Sequence, residues 1–161
     1  MSLDLYIISP KPIMKRGTGV FVRENGQNVE LKTIEEVREH FPNSDLSHIR
    51  EFEYVDEYFW HGNITHNMGK MASAVLVPGT EMSLYDLLWR PDELGFTVAG
   101  HAYYRESVLG CFLFLRRHRE ELLPFNPENG WGNYDQLLAF TLDFLMHLIM
   151  AGDDYPIMTS C

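Results

Sequence analysis

Phe52-Glu53-Tyr54-Val55-Asp56-Glu57-Tyr58-Phe59-Trp60 runs into His61-Gly62-Asn63-Ile64-Thr65-His66-Asn67, and then into Met68-Gly69-Lys70-Met71-Ala72-Ser73-Ala74-Val75. In the first piece Phe52, Tyr54, Tyr58 and Trp60 share one face at a period of two, interrupted by Asp56, which is the pattern of a half-buried strand. In the last piece Met68, Met71, Ala72 and Val75 recur at helical spacing, and Pro78-Gly79 closes the helix. The chain therefore hands over from sheet to helix across residues 61–67. That middle piece carries two imidazoles, two amides and a hydroxyl, and it reads as a polar loop ending at a helix start. Thr65 or Asn67 is placed to cap that helix, whose first N–H groups lack partners within it.

Upstream, Leu3 to Ile8 reads as a short buried strand that Pro10 and Pro12 stop. Val20–Glu24 and Asn28–Leu31 flank Asn25-Gly26, a dipeptide suited to the positive φ angles of a tight hairpin turn. Thr33 and Glu36 form a capping-box pair that opens a short helix with Ile34, Val37 and Phe41 on one face. Downstream, Ser83 and Asp86 open a second short helix that Pro91 ends.

Two longer helices are expected over Tyr103–Leu122 and over 134–150, the second apolar nearly all round and so suited to a central position among other helices. Between them lies the turn-rich stretch Pro124 to Asn133, and Tyr155 to Thr159 reads as a last strand returning to the sheet. The fold class is therefore α+β: a small N-terminal antiparallel sheet with a hairpin, packed on a mainly helical C-terminal two-thirds, in a single domain over residues 1–161. The length of 161 residues and a hydrophobic content of 45% suit one core.

The net charge of −10 argues against a broad phosphate-neutralising surface for duplex nucleic acid, but not against a local anion site. Cys111 and Cys161 support neither a disulfide framework nor a cysteine zinc site, which fits a reducing cytoplasm. The N-terminus lacks the pattern of a signal peptide and the apolar helices carry too many charges to span a bilayer.

His61 and His66 would need Asp143 or His147 to complete a metal site, and their spacing matches no zinc motif, so no metal and no cofactor is expected. Nucleophilic catalysis has little support: Cys111 sits in an apolar run, and Gly-x-Ser-x-Gly is absent. Asp143 and His147, one helical turn apart, suit either an oriented base or an ordinary i,i+4 pair. Lys15 and Arg16 precede Gly17-Thr18-Gly19 in a stretch with no acid between residues 5 and 23, a basic glycine loop able to wrap a phosphate. Asn126 to Tyr134 is a second cluster of amides, glycines and aromatics before a helix, from which Asn129, Trp131 and Tyr134 would line a pocket if the two helix starts meet.

Asn-Ile-Thr-His-Asn-Met-Gly-Lys-Met-Ala at 63–72, Leu-Trp-Arg-Pro at 88–91 and Phe-Asn-Pro-Glu-Asn-Gly-Trp-Gly-Asn-Tyr at 125–134 resemble a family of small uncharacterised proteins of bacteriophages and bacteria. The resemblance brings no activity with it. It implies that the loop-plus-tryptophan arrangement is a family pattern and that a host component is a partner to consider. The expectation is a non-catalytic binding protein for a small polar, anionic or nucleotide-like ligand, held by Asn63, Thr65, His66, Asn67, Asn129, Trp131, Tyr134, Lys15 and Arg16, and used to sequester a host signal. Two alternatives stand beside it. One is a hydrolase or transferase with His61 or His66 as base; the other is a protein-interaction inhibitor working through the acids Asp45, Glu51, Glu53, Asp56 and Glu57.

Overall fold

The first strand does not stop at the prolines. In the computed structural model, which describes residues 2–161, β1 covers Ser2–Gly17 and pairs antiparallel along almost its whole length with β4, Phe52–Thr65. Ile8 faces Tyr58 and Ile13 faces Asp56, so residues 9–12 bulge out opposite Glu57 alone. Pro10 and Pro12 lie in that bulge, where a missing N–H costs no ladder bond. β5, Ile157–Ser160, pairs with the other edge of β1, giving the order β4-β1-β5. The hairpin of β2, Phe21–Glu24, and β3, Gln27–Glu30, forms a separate two-stranded sheet, turned by Asn25 at φ 50° and Gly26 at φ 81°.

α1, Ile34–His40, starts at Thr33, whose hydroxyl accepts from Glu36 N–H. Glu36 reaches back to Lys32 N–H rather than to Thr33, so the capping box is shifted by one residue. Of the expected apolar face, Val37 is buried whereas Phe41 is exposed.

β4 also corrects the reading of residues 61–65, which continue the strand instead of forming a loop. Gly62 is buried there, and a Cβ on it would come within 2.7 Å of Phe140 and collide with the Trp60 ring. Glycine thus serves ring packing at this position, not chain flexibility. Leu3, Leu5, Ile7, Trp60 and Ile64 point to one buried face of the sheet, while Asp4, Tyr6, His61 and Asn63 occupy the other. This alternation follows from the two-residue period of a strand.

Thr65 caps a 3-10 turn at His66–Met68 that runs into α2, Gly69–Ala74. α3, Leu84–Trp89, begins with a complete capping box between Ser83 and Asp86. Such a cap is worth about 1 kcal/mol. α4, Ala102–Arg117, ends at His118, and the short α5, Arg119–Leu122, follows it, so the single expected helix over 103–122 is broken. α6, Tyr134–Met150, packs against α4 and the inner sheet face through Leu137, Phe140, Phe144 and Leu148. It is not surrounded by other helices. Leu142 is 40% exposed, Met146 51%, Ile149 58% and Met150 63%, so one side of α6 carries apolar groups to the surface.

Arg105 fastens the end of α6: its Nε donates to Leu148 O at 3.1 Å and its Nη2 to Ala151 O at 3.2 Å. The core is one cluster running from Leu3 in β1 to Ile157 in β5. Among the described residues, no helix is long and apolar enough to cross a membrane.

Candidate functional site

The two helix starts meet. A Cβ on Gly132 would lie 2.8 Å from Thr65 Cγ2, and Asn67 Nδ2 donates to Trp131 O at 3.5 Å. The contact is a wall, and it divides the nine residues expected to share one pocket. Asn63, Thr65 and Trp131 lie on one side with Arg23, in a hollow of about 220 Å³. His66, Asn67 and Asn129 lie on the other with Lys70 and Phe125, in a hollow of about 840 Å³.

Tyr134 belongs to neither hollow. It is buried, and its hydroxyl donates to Leu115 O, tying the start of α6 to the end of α4. Lys15 and Arg16 are not at the site either. Lys15 Nζ is held by Asp56 at 2.9 Å and donates to Tyr58 O at 2.6 Å, while Arg16 pairs with Glu53 at 3.3 Å. The glycine turn after them already holds an anion from the chain itself: Glu30 Oε2 accepts from Gly19 N–H at 3.0 Å. Burial pushes the Glu30 carboxyl upward, but hydrogen bonds from Gly19, Lys32 and Tyr54 outweigh it and hold the group below its usual range. A basic loop thus became an internal ion-pair cluster. The same pairs occupy Glu53 and Asp56, Glu51 accepts from Ile34 N–H and Asp45 from Ser47 N–H, so four of the five acids suggested for a partner surface are already engaged.

At the larger hollow, the direction of each hydrogen bond decides what remains free. Trp89 Nε1–H can only donate, and it donates to His66 Nδ1 at 3.3 Å. With Nδ1 accepting, the ring proton of His66 lies on Nε2, which is left as a donor. Trp131 N–H donates to Asn129 Oδ1 at 3.0 Å, and Tyr134 N–H donates to Asn126 Oδ1 at 2.7 Å. Because a backbone N–H fixes the accepting atom as oxygen, both asparagines keep their Nδ2 amides without a partner among the described residues. Lys70 is exposed and forms no ion pair among the described residues, and Glu128 is the only acid in the lining.

The α6 start itself is closed to an outside anion. Gln136 Oε1 accepts from Gly132 N–H at 2.7 Å and Asn133 N–H at 3.3 Å, and Asn133 Oδ1 accepts from Gln136 N–H at 2.9 Å. This reciprocal cap satisfies the groups that an anion would otherwise use.

On the hairpin side of the wall, Arg23 sits 5.6 Å from the centroid of the 52%-exposed Trp131 ring and donates to Gly26 O. Asp4 accepts from His61 Nε2 at 3.0 Å and from Asn63 Nδ2 at 2.8 Å, and Tyr6 stacks on His61. His61 is restrained by these contacts as part of the outer sheet face.

Asp143 and His147 are a half-buried acid–imidazole pair in which both partners shift. Burial would raise the Asp143 carboxyl, yet hydrogen bonds from His147 and from Trp60 Nε1, 2.8 Å away, hold it low. The bond to Asp143 raises His147, against the opposing effect of burial. The His147 Nδ1–H points at Asp143 O, 2.8 Å away, and the pair borders Trp60 and Phe59 rather than either hollow. Cys111 is buried and its thiol is pushed up to about 12, which keeps it protonated.

Among the described residues, no group of three or more His, Cys, Asp or Glu side chains is placed to hold a metal ion. Sequence reasoning left Lys70, Arg23 and Asn126 out of the expected binding set. Lys70 and Asn126 sit within the stretches it singled out, but nothing local marks them as lining residues. No protein-family model, no curated protein and no solved structure matches this chain.

Proposed function

We propose that the protein binds a small, acceptor-rich anionic ligand in the hollow beside His66 and does not transform it. The carrying observation is the set of groups left free there: His66 Nε2–H, Lys70 Nζ and the Nδ2 amides of Asn126 and Asn129 are all donors. Donors converging on one space suit phosphate or carboxylate oxygens. Phe125, 41% exposed beside Pro124, adds a flat apolar surface on which a planar ring can stack, so a nucleotide-like molecule is the class that fits both features. A volume of about 840 Å³ accommodates one such molecule.

A tautomer that presents N–H toward the ligand gives His66 a binding role rather than that of a base. Sequestration of a host signal is the use we propose for such binding. Calorimetric titration with nucleoside mono- and diphosphates, and with inorganic phosphate, tests the reading. The expected result is saturable binding that Lys70→Glu weakens about tenfold, the size of one charged hydrogen bond, with the ligand recovered intact by chromatography. Absence of heat at millimolar nucleotide, or an unchanged affinity in the variant, would overturn it, and recovery of a converted ligand would replace it with an enzyme.

A further inference from the structure

A third hollow lies on a different part of the molecule, where the turn over residues 76–81 approaches α4. Leu76 bridges to Ser83, Val77 N–H donates to Met82 O at 2.8 Å and Thr80 N–H to Val77 O at 3.1 Å, so the turn is internally bonded. α4 presents Gly110 to it. A Cβ there would sit 3.1 Å from Pro78 Cδ, so glycine allows the close approach at one end. Beyond that contact the two elements diverge and leave a groove of about 740 Å³, within the range of small-molecule sites.

The groove is apolar along its length and cationic at one end. Leu76, Pro78, Leu113 and Phe114 supply its walls, and Leu76 and Leu113 remain 39% and 38% exposed. Arg117, one helical turn beyond Leu113, lines the same groove and has no acidic partner among the described residues. His118 is committed elsewhere: it stacks on Phe114, and its Nδ1 pairs with Glu121 at 3.1 Å. Glu81 lines the turn side but is outside ion-pair distance of Arg117. In a chain of net charge −10, an uncommitted guanidinium at the end of an apolar groove is a local reversal of sign.

From this arrangement we infer a second binding site, for an amphipathic carboxylate: a small molecule whose acyl or aryl body lies along Leu76, Pro78 and Leu113 and whose carboxylate meets Arg117. The planar guanidinium fork matches a carboxylate in two parallel hydrogen bonds, and the apolar body gains by leaving water. The site shares no lining residue with the hollow beside His66, so either can be filled without the other.

Amide NMR during titration with decanoate, decanol and decyltrimethylammonium, all below their micellar concentrations, tests the assignment. Decanoate is expected to give saturable shifts confined to residues 76–81 and 110–118. Decanol should bind about tenfold more weakly, as expected for loss of a charge-assisted hydrogen bond. Arg117→Glu should weaken decanoate by a similar factor, and Arg116→Glu, on the exposed neighbour, should change it less than about twofold. Both positions are exposed, so both variants are expected to fold. Absence of saturable shifts, shifts centred on the apolar side of α6, equal binding of the three amphiphiles, or an Arg117→Glu variant with undiminished affinity would each overturn the proposal.

Discussion

The indole N–H of Trp89 donates to Nδ1 of His66 across 3.3 Å, with the two rings edge to face. A core side chain on α3 thereby sets the proton position on a ring at the edge of the hollow. Nitrogen-15 NMR at neutral pH should show His66 mainly as the Nε2–H tautomer. Trp89→Phe removes the donor and should shift the ring toward a mixture, at a stability cost of about 1 kcal/mol for the lost hydrogen bond in addition to any packing loss. A wild-type spectrum dominated by Nδ1–H would refute this orientation.

Gly132 is needed for two separate reasons, and a pair of variants separates them. Its φ is +79°, and a Cβ would meet Thr65, Met68 and Asn67. Gly79 has a similar φ of +76° with nothing nearby. Gly79→Ala should therefore cost about 1 kcal/mol of left-handed strain alone, whereas Gly132→Ala should cost roughly 2–4 kcal/mol once overpacking is added. Urea midpoints that shift equally would show that the wall between the hollows is not tightly packed.

The Asp143–His147 pair makes stability depend on pH in both directions. His147 is raised above its ordinary 6.5, so its contribution is complete below that value and is lost as pH rises through the higher folded value. Asp143 is lowered from 3.8, so its contribution is complete above that value and is lost as pH falls through the lower folded value. The pair therefore stabilises most between these two ordinary values. Urea denaturation across this range should show Asp143→Asn falling furthest below the wild type between pH 3.8 and 6.5, with the gap narrowing but not closing as pH rises through the folded value of His147, because the Trp60 hydrogen bond to Asp143 persists. A difference between the two proteins that does not vary with pH contradicts the coupling.

Arg105 reaches two carbonyls at the end of α6 and also lies 3.3 Å from Asp153. The carbonyl bonds matter more, because Asp153 is 87% exposed in its side chain. Arg105→Met should lower stability by about 2–4 kcal/mol, seen as a drop in Tm by calorimetry. Asp153→Ala should change it by less than about 1 kcal/mol. The reverse order would mean that the ion pair, not the helix end, is the anchor.

Local signals located several elements well. Asn25-Gly26 does turn the hairpin, Thr33 and Ser83 do cap their helices, and Met68, Met71, Ala72 and Val75 are all on the buried side of their segment. Each of these depends on neighbours within a few residues. The loop reading at 61–65 and the strand stop at Pro10 and Pro12 fail because they depend on distant partners: pairing with β1 and packing on Phe140 in one case, and a bulge against β4 in the other. The candidate site divides in the same way. The amide-rich stretches at 63–67 and 126–134 do converge, but which amide faces a hollow depends on who accepts from whom. The basic run at Lys15 and Arg16 looked free until β4 supplied Asp56 and Glu53.

β1 lies between β4 and β5, so Leu5 faces Gly62 on one edge and Thr159 on the other. During synthesis β1, the middle of the sheet, emerges before both of its neighbours, and β5 follows only after the helices between β4 and β5 have been made. Until residues 157–160 clear the ribosome, the apolar first strand has one edge without a ladder partner, open to pairing with another nascent chain. Completion of the sheet thus waits on translation of β5, and a slow decoding step between β4 and β5 would prolong that exposure.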